Sequence, residues 1–264
     1  MVDWRTVTAK DFAVPQDVEL GALVDELAEM LMSEDPVTRD ELAFSTLARW
    51  IDRDVLSATQ LDALGDCMAK RFDSDAIQVR TFAPLILDSI VSKGRLRPAW
   101  FDAFAAWYPA ERDLRGHDQK LGWLHAIAHG ADLLGAFGRS TGVAPDRVLA
   151  IAAERLVAPG DTVWRDHEHD RLGYAIALTL TRDELTDETA VRWLDAVADN
   201  WANRTPGAPP AEVSNAVHTL RVVYILGTTG VRPSRQKTPL RLNHESEVRA
   251  ALLKILHSMS PYMW

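Results

Sequence analysis

Three side chains able to do chemistry stand together in GWLHAIAHGADLL, residues 122–134: His125, His129 and Asp132. Their spacings of four and three place all of them on one face if the segment is helical. Imidazoles and a carboxylate on such a stripe can ligate a divalent cation, pass protons, or satisfy one another in a buried polar network. Two further clusters flank the stripe in sequence. YPAERDLRGHDQ, residues 108–119, crowds Glu111, Arg112, Asp113, Arg115, His117 and Asp118 together, with Gly116 as a turn signal. WRDHEHDRLGYAI, residues 164–176, offers Asp166 as a helix cap and two pairs at a spacing of three, Glu168 with Arg171 and His167 with Asp170.

Each chemistry makes a demand that the residues can be held against. A metal site could draw on His125, His129 and Asp132, with Glu168 from another helix. A zinc protease needs Glu directly after the first histidine, where Ala126 stands. The HD-type phosphohydrolases need a metal-binding histidine ahead of the His117-Asp118 pair, and no histidine precedes it. Hydrolysis without metal would pair Asp132 with Glu168 and use His125 or His129 as proton carrier. A small anionic ligand would instead be clamped by Arg115 and Arg171. Those arginines, if they face the stripe, repel a divalent cation and favour the anion. No serine lies in a GxSxG elbow, and no cofactor signature is read. The expectation is therefore a protein that binds a small polar or anionic ligand, or a partner segment, through Glu111, Arg115, His125, His129, Asp132, Glu168 and Arg171. A hydrolase using the same residues and a purely structural polar network are the alternatives.

These residues must be positioned by helices, because 3.6-residue apolar periodicity runs through the chain and strand signals are scarce. The pattern predicts helices at 17–32, 36–51, 57–72, 75–92, 97–107, 118–137, 145–157, 166–181, 186–203, 210–228 and 244–259. Asp35 and Pro36 suit the start of the second and Ser57 opens the third. Pro84 should kink or split the fourth. About eleven helices starting every ~20 residues match the period of HEAT and armadillo repeats. The fold class expected is all-α, an α-α superhelix of antiparallel helix pairs, as one domain over 1–264.

Composition narrows the partners. The chain has 264 residues, of which 47% are hydrophobic and 25% charged, enough for a sizeable core. A net charge of −9 argues against a general nucleic-acid binder. A lone cysteine, Cys67, read as a small buried helix residue, excludes an internal disulfide. No apolar run is long enough to span a bilayer, and the N-terminus lacks a basic segment followed by an apolar one. A cytoplasmic protein is expected. VRPSRQKTPLRLN, 231–243, holds Arg232, Arg235, Lys237 and Arg241 without an acid, and reads as a solvated basic loop or an anion contact. Of the nine tryptophans, Trp100, Trp107, Trp123 and Trp164 fall near the polar clusters and read as packing core or the wall of a pocket.

Several segments, taken in order, resemble a bacterial and fungal family catalogued as domain of unknown function 2785. They are DPVTRDELAFSTLARWI at 35–51, VRTFAPLIL at 79–87, ERDLRG at 111–116, GWLHAIAHGADLL at 122–134 and EHDRL at 168–172. The resemblance implies a HEAT-like helical fold and no known activity. Its motifs mark Glu111, Arg115, His125, His129, Asp132, Glu168 and Arg171 again, and add Arg39 and Asp40. The family pattern is less clean at Pro84.

Overall fold

A computed structural model describes residues 2–205, 207–233 and 238–263. Its fold is all-α: the described residues form twelve α-helices, one π-helical stretch, one 3-10 turn and a single two-stranded hairpin. They divide into two compact units, residues 1–107 with 115–133, and residues 108–114 with 134–264. No described helix is long and apolar enough to cross a membrane.

The first unit begins with α1 (Trp4–Ala9) and α2 (Leu20–Met30). A π-helical stretch (Val37–Phe44) then runs directly into α3 (Ser45–Asp52). Next come α4 (Ala58–Lys70), a 3-10 turn (Arg71–Asp73), α5 (Ile77–Ser92) and α6 (Pro98–Trp107). Asp35 accepts from the Thr38 backbone N–H at 2.9 Å, and Ser57 and Gln60 cap α4 reciprocally. Helix α4 packs on both α5 and α6. Its Gly65 lets the Trp100 ring lie against the backbone, where any side chain would overlap the indole. Helix α5 stays unbroken through Pro84, because eleven of its residues are buried and packing outweighs the ~3 kcal/mol that proline costs a helix. Cys67 is half-buried rather than buried.

The larger surprise lies at 117–125. The expected helix from 118 begins only at Ala126, as α7 (Ala126–Arg139). Ahead of it is a hairpin, β1 (His117–Asp118) with β2 (Gly122–Trp123), pairing His117 with Trp123 and Asp118 with Gly122. Asp118 builds its turn by accepting from the Lys120 and Leu121 backbone N–H groups, each at 2.9 Å. These bonds, and then Arg115, hold the Asp118 carboxyl below its usual pKa. Gly122 has φ +71°, the left-handed conformation that short hairpin loops demand near their end.

The second unit is built from the rest of α7 with α8 (Pro145–Val157), α9 (Glu168–Thr179), α10 (Asp187–Ala202), α11 (Ala211–Thr229) and α12 (Glu245–Met259). Helix α11 packs on α8, α9 and α12, and α10 packs on α8 and α12. The segment 108–114 is fastened by buried Arg155, whose Nη1 donates to the carbonyls of Tyr108 at 3.0 Å and Glu111 at 2.9 Å. Burial holds the Arg155 guanidinium below its usual pKa. Asp166 does not cap α9, which starts at Glu168 with His167 in the preceding position. In the basic loop, Val231 and Leu240 bridge, and Arg241 donates to the Thr228 carbonyl. Arg235 and Lys237 lie outside the described residues.

Candidate functional site

The hairpin 117–123 owes its position to Arg39. That side chain is fully enclosed. Its Nη2 donates to the Leu121 carbonyl at 2.6 Å, its Nε to Asp40 Oδ1 at 2.7 Å, and its Nη1 to Ser33 at 3.3 Å. Its guanidinium lies over the Phe82 ring, 4.4 Å from the centroid. The π-helical stretch carries Arg39, and its residue Pro36 neighbour abuts Gly122, where an added Cβ would come within 2.9 Å of the proline ring. Burial raises the Asp40 pKa against the opposing pull of Arg39. Arg39, with Asp40 as its ion-pair partner, thus fastens the hairpin.

From that anchor a line of rings leads outward. The Phe82 ring meets His129 edge-on at 5.4 Å, His129 meets His125 at 5.8 Å, His125 meets Trp123 at 4.4 Å, and Trp123 meets His117 at 4.9 Å. His129 is buried, and its Nδ1–H donates to the Thr81 carbonyl at 2.9 Å. That bond fixes the tautomer and leaves Nε2 as the acceptor nitrogen. His125 is half-buried and does not belong to α7. It stands just ahead of the helix at φ +46°, and its carbonyl takes the first helical bond, from His129 N at 2.9 Å. The expected single stripe is therefore corrected: His129 and Asp132 share a helical face, and His125 meets the His129 ring from ahead of the helix. Asp132 is half-buried one turn beyond His129.

The tryptophans separate cleanly. Trp100, Trp107 and Trp164 are core, whereas Trp123 is 45% exposed at the outer end of the ring series. Arg115 is exposed and pairs with Asp118 at 2.5 Å, and Lys120 pairs with Glu34 at 2.6 Å. The hairpin thus presents an exposed indole flanked by two imidazoles, with two surface ion pairs on the same hairpin segment and a framework tied into the core.

The remaining candidates belong to the second unit. Glu111 is buried, and its Oε1 accepts from the Arg112 and Asp113 backbone N–H groups at 2.9 Å each. Glu168 is also buried, and its Oε2 accepts from Asp166 N at 2.7 Å. Arg171 is exposed on α9. His167 and Asp170 pair as the spacing predicts, at 2.8 Å. Sequence reasoning did not single out Trp123 among the tryptophans. The sign that could have done so is Gly122 beside it, a turn signal inside an otherwise helical pattern.

No curated protein matches the chain, and no solved structure matches it. One family profile does, over residues 69–225, a span that covers α5 through most of α11 and so includes the hairpin, His125, His129, Asp132, Glu111, Glu168 and Arg171. The chain belongs to that family, described as protein of unknown function DUF2785.

Proposed function

We propose that this chain binds a small polar or anionic ligand at the face formed by Trp123, His117 and His125, with Arg115 at its border. The observation that carries the reading is the contrast between Trp123 and its support. A 45% exposed indole sits on a hairpin held by an arginine with no exposure at all. An exposed aromatic on a mobile loop would be ordinary surface, but one whose backbone is fixed from the core is preorganised for a ligand. The imidazoles supply donors suited to a carboxylate or phosphate, with Arg115 nearby, paired to Asp118. Buried His129, Arg39 and Asp40 act as framework in this reading. The helical-repeat character expected from the sequence belongs to the same proposal.

The test uses two probes on chain purified without a histidine tag: benzoate, a flat anion, and inorganic phosphate, an anion without a face. Binding is followed by tryptophan fluorescence and calorimetry. Saturable benzoate binding, weakened about fivefold or more in Trp123→Ala, is the expected result, since one aromatic contact is worth about 1 kcal/mol or more. Equal affinity in the variant, or no saturable binding of either probe, would remove the proposal.

A further inference from the structure

In the second unit a different group of side chains converges, independent of the hairpin face. Asp187 opens α10, His244 immediately precedes α12, and Glu247 lies in the first turn of α12. One ligand atom from each comes within 4.8 Å of the other two. The geometry points to a site for one divalent first-row transition cation, held by His244 Nδ1 and the Asp187 and Glu247 carboxylates, with zinc the natural probe.

Four observations support it. The first is the donor set: one imidazole nitrogen and two carboxylates are sound ligands for zinc, nickel or cobalt. The second is orientation. The Nε2–H of His244 donates to the Leu185 carbonyl at 2.8 Å, which fixes the ring and directs Nδ1 toward the acids. Metal-bound histidines are held in this way by their second nitrogen. The third is the contact between His244 Nδ1 and Asp187 Oδ1, 2.5 Å apart. Two electron-pair donors this close share a proton, and a metal ion would take that proton's place as the pair opens. The proton leaves one uncompensated negative charge across the three groups, and a divalent cation leaves none.

The fourth is the surrounding charge. Among the described residues, neither Asp187 nor Glu247 is paired with lysine or arginine. Nearby cations are committed elsewhere: Arg192 to Glu188 and Asp146, and Arg241 and Arg249 to Glu245. The Asp187 side chain is 74% exposed and that of His244 28%. Asp187 can therefore swing from 2.5 Å to the ~3.3 Å that separates two ligands of a tetrahedral zinc ion, and solvent can complete the shell. Because α10 and α12 pack together, the ion would fasten the starts of both helices.

The experiment is calorimetric titration of the full, untagged chain with zinc chloride, paralleled by cobalt(II) absorption spectra and thermal melts. The expected result is one zinc per chain. Binding should weaken at least tenfold in Asp187→Asn and in Glu247→Gln, and cobalt bands should disappear in the double variant. Both positions are exposed, so each variant's unliganded melt serves as the check of folding. The wild-type melt should rise by roughly 5–10 °C at free zinc a hundred times Kd. Absence of saturable uptake up to about 0.1 mM zinc, or uptake that survives the double variant, would overturn the assignment.

Discussion

Replacing Arg39 by methionine should cost about 3–4 kcal/mol and release the hairpin. Two strong charged hydrogen bonds vanish, to Leu121 O at 2.6 Å and to Asp40 Oδ1 at 2.7 Å. Such bonds contribute about 1.5–3 kcal/mol each, and the 3.3 Å contact to Ser33 adds little. Loss of the guanidinium over Phe82 removes roughly 1–2 kcal/mol more. Two effects offset part of this. Methionine refills most of the volume with an apolar chain, and Asp40, whose side chain is 27% exposed, regains water. The net falls at the lower end of what breaking a buried charged contact costs. Urea unfolding reads the total. Hydrogen exchange with mass spectrometry reads the place: the Leu124 and His125 amides, both bonded to the Gly116 carbonyl, should lose protection first. A loss below about 1 kcal/mol with those amides still protected would refute the view that Arg39 holds the hairpin.

Other outcomes follow from the same contacts. Gly122→Ala should cost about 1–3 kcal/mol, from the left-handed backbone and the approach to Pro36, measured as a shift in the urea midpoint. His129→Ala should cost about 2–4 kcal/mol through the lost Thr81 bond and the cavity beside Phe82, while leaving benzoate affinity within a few-fold in the folded variant. His218 should titrate below its usual value, 6.5 in a model peptide, because partial burial, then His169, then Arg221 all disfavour its charge. A depressed histidine adds stability that is present above its unfolded pKa and lost as pH falls through the folded one. An NMR titration midpoint at or above 6.5 would contradict this.

The helices were legible because burial and periodicity agree along them. Starts and ends of α8 and α10 through α12 fall within one or two residues of the pattern, and Ser57 caps as its type suggests. The six-residue α1 was missed, being too short to show a period. The hairpin was hidden by Leu121, Leu124 and Ala128, which mimic the inner face of a longer helix. What overrides that pattern is remote: the carbonyls of Leu121 and Trp123 turn toward Arg39, more than eighty positions earlier. The π-helical stretch is equally unreadable, since no local propensity signals its wider turn. Of the candidate site, residue types were legible and their division was not. Nothing local distinguishes buried His129 from half-buried His125 four positions away.

Three of the histidines, His125, His167 and His244, take left-handed backbone angles, each one residue ahead of a helix. At such positions an L side chain costs the backbone about 1–2 kcal/mol, of which glycine's larger chain entropy returns roughly half. Selection for thermal stability alone would therefore drift these positions toward glycine, and selection for what the imidazoles do would hold them. A library randomised at the three positions and sorted twice, once for folding and once for zinc or benzoate binding, separates the two pressures. Each histidine that the folding sort discards and a binding sort retains marks a place where the chain has traded stability for chemistry.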